Sequence, residues 1–146
     1  MKKSKIPFVI EGNLVPNLAS MFIDAYAVTL YPFVFIRPKK KDIPAHRIVA
    51  EEYSRQRTLH HEKIHIIQYK EMWVLGLMFM YLYDWVHGLI KYKDPAKAYF
   101  RIRVEQEAYA HQHKFQFYMN GEPSGETYEK DYYLTREPFA WKQYKV

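Results

Sequence analysis

His61 and His65 are four residues apart, and Glu62 follows the first of them, so residues 61–65 read His-Glu-Lys-Ile-His, an HExxH motif. On a helix, residues four apart share one face, so both imidazoles can reach a single ion. Glu62 is rotated around the helix axis from His61. There it can hold a water on the metal without ligating the metal itself. A zinc ion makes such a water acidic, and a carboxylate in that place takes its proton. Gln68 lies one more turn along the same face.

Catalytic zinc needs a third protein ligand and an open coordination position. The stretch Glu105-Gln106-Glu107-Ala108-Tyr109 offers two carboxylates. Glu105 falls on the stripe of Ala98, Ile102, Ala108, Tyr109 and Phe115. Glu107 falls nearer Arg103, His111 and Lys114. A carboxylate on an apolar stripe is costly unless paired or bound to metal. Glu105 is therefore favoured over Glu107 as the ligand, and an ion pair with Arg101 is the alternative role for it. Tyr109, one turn on, can donate to an oxyanion or simply pack. Among the other histidines, His60 is expected at the surface, His111 could approach the site, and His46 and His87 are expected to be structural.

The elements that must carry these residues can be traced along the chain. Residues 6–10 and 21–36 read as extended, and 27–31 and 33–36 are rich in β-branched and aromatic residues. Pro32 cannot donate to a ladder, which makes this segment an edge strand or bends it. Residues 37–45 form a loop. From about Thr58 the pattern turns helical, with Leu59, Ile66 and Trp73 at heptad spacing and a possible break at Gly76. Asp94-Pro95 opens a further helix, with Asp94 as N-cap, expected to run to about Met119 and to end at Asn120-Gly121. Strands followed by long helices predict an α+β fold, a small N-terminal sheet packed on two or three long helices. The 146 residues predict one domain, with its core at about 20–120 and a surface-wrapping tail at 121–146.

These residues resemble a known family. His61-Glu62-x-x-His65 followed by a second helix with Glu105-x-x-Ala108 resembles the gluzincin-type zinc metallopeptidases, in which two histidines and a later glutamate bind zinc. A nearer likeness is to small bacterial and phage proteins that share a T-L-x-P-F segment, H-E-x-x-H-x-x-Q, a hydrophobic stretch and an E-x-E-A-Y-A helix. In this chain those are Thr29 to Phe33, His61 to Gln68, Met72 to Ile90 and Glu105 to Ala110. The likeness spans about residues 26–112. It implies a zincin-like fold, a Zn2+ cofactor and hydrolysis of a peptide or protein substrate, with Glu62 as general base. Tyr109 departs from the pattern, because some gluzincins carry there an Asp that orients a zinc-binding His.

Composition narrows the alternatives. The absence of cysteine excludes a disulfide scaffold, a zinc ribbon and a cysteine nucleophile, and fits a reducing compartment. The net charge of +6 sits partly in Lys2-Lys3-Ser4-Lys5 and Lys39-Lys40-Lys41. Neither run is accompanied by a recognisable nucleic-acid-binding pattern, so no nucleic-acid partner is expected. The apolar stretch after the N-terminal lysines is too short for a signal sequence, and a cytoplasmic location is expected. The stretch from Met72 to Tyr83 invites a membrane reading. Asp84 and His87 interrupt it, so a buried helix is expected and membrane association is the less favoured alternative. The rival functions are a metal-stapled module without catalysis, a structural or assembly protein with a chance HExxH, and a membrane-associated protease.

Overall fold

The computed structural model describes residues 8–21, 25–124, 139 and 143–146. Three short strands, β1 (Phe8–Glu11), β2 (Ala27–Leu30) and β3 (Phe33–Ile36), form a sheet in the order β1-β3-β2. β3 is central, parallel to β1 and antiparallel to β2. The period of two along β3 sends Val34 and Ile36 fully into the interior. Pro32 follows a cis peptide bond in the turn between β2 and β3. Pro32 lies in the turn and stays out of the ladder, and β2 is an edge strand in the order β1-β3-β2. A short helix, α1 (Leu14–Ala19), lies between β1 and β2, in a stretch for which the sequence carried no expectation.

The motif helix, α2 (Ile48–Met72), starts well before Thr58. Its first turns carry Glu51, Glu52, Arg55 and Arg57, which favour a helix without producing an apolar period. Arg55 fixes α2 to the sheet. Its guanidinium donates to the Arg37 carbonyl at 2.8 Å and pairs with Glu11. α2 ends at Trp73, not at Gly76. Trp73 has φ 60° and ψ 154°, and α3 (Val74–Tyr92) leaves at 112° to α2.

Asp94 caps α4 (Pro95–Phe100) as expected, accepting from the amides of Ala96 and Lys97 at 2.9 and 3.1 Å. The helix does not run on to Met119. Ile102 is extended (φ −60°, ψ 125°), and α5 (Arg103–His111) begins after it. Asn120-Gly121 is not a helix cap either. Its positive φ values, 51° and 85°, make the two-residue turn of a hairpin between β4 (Tyr118–Met119) and β5 (Glu122–Pro123).

The core gathers Tyr69 of α2, Leu77 and Met80 of α3, and Ile102 and Val104 around α5, together with Phe139. Phe139 is thus an inward anchor in a tail that was expected to wrap the surface. Residues 125–138 and 140–142 of that tail lie outside the described residues. The architecture is α+β. The expectation that 72–90 is a buried helix holds for one face of α3 only. Leu77, Met80, Asp84 and Gly88 are buried, and most of its other large apolar residues are exposed.

Candidate metal centre

α2 presents His61 and His65 on the face that meets α5, and both are buried. Their Nε2 atoms are 3.1 Å apart. The Glu105 carboxylate comes from the first turn of α5, with Oε2 3.3 Å from His61 Nε2 and Oε1 3.4 Å from His65 Nε2. The three side chains form a buried group able to hold a metal ion, and it is the only such group among the described residues. His61 Nδ1 and Glu105 Oε2 are buried and make no hydrogen bond. An anionic oxygen so placed beside two imidazole nitrogens suits a cation.

The electrostatics of these side chains point the same way. Burial works against charge on His65. Glu105 above all, with help from Glu62 and Gln68, overrides it and raises the His65 pKa to about 9. Burial would also raise Glu105, yet the two histidines hold it well below the usual carboxylate range. A site that keeps a carboxylate ionised with almost no water is one that a divalent ion can neutralise.

The groups around these donors fix their orientation. Gln68 Oε1 lies 2.7 Å from His65 Nδ1. The Gln68 amide nitrogen in turn donates to Glu107 Oε2 at 2.7 Å and to the Val104 carbonyl at 3.1 Å. Glu107, expected on a polar stripe, is therefore buried, and it orients His65 through Gln68 instead of joining the ligand group. Tyr81 of α3 donates to Glu105 Oε1 at 3.0 Å. Arg101, the alternative partner for Glu105, is exposed and sits over the Tyr92 ring.

Glu62 is buried beside this group but outside it. Its Oε2 accepts a hydrogen bond from Thr29 Oγ1 of β2 at 2.5 Å. Glu62, His65 and Glu105 all line a cavity of about 450 Å³. β2 forms one wall of it, and Leu77, Tyr81 and Trp85 of α3 lie on another. Tyr109 packs its ring edge against His61, with centroids 4.6 Å apart, and hydrogen-bonds Tyr99. Burial raises the pKa of its phenol, which therefore keeps its proton.

The remaining histidines depart from expectation in several places. His60, expected at the surface, is buried and stacked on Phe115 with centroids 5.5 Å apart. His46 and His87, expected to be structural, are exposed. His111 ends α5 half-buried, outside the group of His61, His65 and Glu105. Sequence reasoning did not find Thr29 or Tyr81. Thr29 stood inside a quoted motif with no role attached, and nothing local marks Tyr81, whose reach depends on the bend at Trp73. Comparison with protein-family models, curated proteins and solved structures found no significant match to this chain.

Proposed function

We propose that this chain is a zinc-dependent metallopeptidase with a zincin-like arrangement of helices and edge strand. The observation that carries the reading is the spacing of the three donors. Two ligands about 2.0–2.1 Å from a tetrahedral zinc lie about 3.3 Å apart. The Nε2–Nε2 and Nε2–carboxylate separations here are 3.1, 3.3 and 3.4 Å. An N2O donor set without sulfur is also a common set for catalytic zinc. The cavity reaches His65 and Glu105, so substrate could approach an ion held there, which favours catalysis over a structural staple.

The ion would supply a Lewis acid that polarises a carbonyl and lowers the pKa of water. The remaining work belongs to the chain. Glu62 takes a proton on its carboxylate as general base, and Thr29 holds that carboxylate through Oε2. β2 is an edge strand whose four residues line the cavity, a wall along which an extended peptide can pair through its main chain. Tyr109 keeps its phenolic proton next to His61 and is the candidate donor to an oxyanion.

Metal analysis of protein purified without added metal tests the first half of this reading, with about one zinc per chain expected. Cleavage of a peptide library, lost on chelation and restored by zinc, tests the second. Protein that is metal-free and cannot be loaded overturns the proposal.

A further inference from the structure

The burial of α3 runs opposite to that of a helix made for water. Its one carboxylate, Asp84, is fully buried, with Oδ1 and Oδ2 held by the Arg103 guanidinium at 2.7 and 2.9 Å. Trp73 before the helix and Leu75, Phe79, Tyr83 and Ile90 on it are between 67% and 81% exposed. From Trp73 to Ile90 no exposed residue is Asp, Glu, Lys or Arg. A continuous apolar face of this kind marks a docking surface.

The charge at the C-terminal end of α3 indicates what covers this face. Lys91, Lys97 and Arg101 gather around the Tyr92 ring, at 5.1, 4.9 and 5.9 Å from its centroid, and all three are exposed, with Lys91 Nζ also donating to the Val146 carbonyl at 3.1 Å. Lys93 is exposed beside them, and the carboxylate of the neighbouring Asp94 is taken up in capping α4. The face itself carries no carboxylate to receive the cations of a second copy. No single described helix is long and apolar enough to cross a membrane, and the bend of 112° at Trp73 prevents α2 and α3 from forming one straight span.

We propose that α3 lies flat on an anionic lipid bilayer, with its apolar face in the headgroup region and the cations around Tyr92 against lipid phosphates. Such binding combines buried apolar area with electrostatic attraction. Trp73 and Tyr83 are residue types suited to that depth. Met78 and Leu82 are exposed on this face and also line the cavity beside Glu62 and Glu105. The cavity therefore adjoins the docked surface. In a consequence that rests on the peptidase reading, the substrate is an apolar, membrane-proximal peptide segment.

The test is cosedimentation of the full chain with vesicles of phosphatidylcholine, with and without phosphatidylglycerol. The wild type is expected to bind the anionic vesicles at least roughly tenfold more strongly than the neutral ones. Leu75→Glu with Phe79→Glu should abolish binding to both. Lys91→Gln with Lys97→Gln should weaken anionic binding by roughly fivefold per lysine. This second pair changes only exposed side chains, so it remains informative if the glutamate pair does not fold. Metal content should be unchanged in both pairs, which separates failure here from failure of the metal site. Wild-type protein that binds neither vesicle overturns the proposal. So does a lipid-free dimer that Phe79→Glu converts to monomer without any vesicle binding, because the face then belongs to a second copy.

Discussion

Glu62 and Glu105 are both buried carboxylates on the same cavity, but their partners give them different work. Glu105 contacts both histidines, whereas Glu62 is held by Thr29. On the proposed function, Glu62→Gln should therefore bind as much zinc as the wild type, keep its fold and lose at least roughly 100-fold in peptide hydrolysis. His65→Ala should lose the metal itself, as read by atomic absorption. Gln68→Leu removes the link between His65 and Glu107 without touching the ligand atoms, and zinc affinity should fall about 10–100-fold in a chelator competition.

The pair of His65 and Glu105 also sets a pH dependence for the metal-free protein. His65 binds its proton more tightly folded, at about 9, than at its ordinary 6.5. Its contribution to stability is full below pH 6.5 and is lost as the pH rises through about 9. Glu105, depressed from 4.5, contributes above that value and loses its contribution as the pH falls below it. Thermal melts of metal-free protein should accordingly show greatest stability from this pair between about pH 5 and 6.5. Zinc needs His65 deprotonated, so the rise in Tm on adding zinc should grow from pH 6.5 to 9. A zinc effect that shrinks over that interval would count against His65 as a ligand.

Among the elements, α3 depends on one close approach. A Cβ at Gly88 would lie 3.0 Å from both Cα and Cβ of Ala98 on α4, with backbone on one side of the contact. Gly88→Ala should push α3 from α4 and destabilise the fold by about 1–3 kcal/mol in urea unfolding. Gly76 is the control on the same helix. A Cβ there meets nothing within 4 Å, and Gly76→Ala should be neutral or stabilising by up to about 1 kcal/mol. Equal effects at the two positions would mean that α3 and α4 are not packed at Gly88. The separation matters to the site because α3 carries Tyr81 to Glu105.

In the whole molecule, the group of His61, His65 and Glu105 brings α2 and α5 together, and α3 forms a further wall of the cavity that β2 lines. On the proposed function, zinc held only by the folded chain would stabilise it by mass action, so chelation should lower Tm and excess zinc should raise it. Docking of α3 on lipid is a separate property with its own signature. Its electrostatic part is screened by salt and its apolar part is not. Binding to anionic vesicles should therefore weaken with ionic strength down to the level seen with neutral vesicles, while zinc content stays constant. Zinc loss tracking salt would tie the two surfaces together and contradict that independence.

What the sequence by itself determined was local or periodic. The spacing of His61 and His65 specifies a shared helix face, Asp94-Pro95 specifies a helix start, and β-branched runs specify β2 and β3. The apolar stripe under Glu105 was legible because a charge on such a stripe needs a partner. The structure places Glu105 beside the two histidines. Tertiary structure decided which elements meet. Glu107, one face away by helical phase, is also buried, because Gln68 of α2 lies over it. The bend at Trp73 turns Tyr81 toward Glu105 and leaves Phe79 in the open, although the stretch itself reads only as apolar. Asn120-Gly121 suits a helix end or a hairpin equally well. Pairing of Met119 with Glu122 settled it as a hairpin. Helical phase and turn chemistry fix what one segment can present, but burial is a property of two surfaces, and only the packed chain supplies the second.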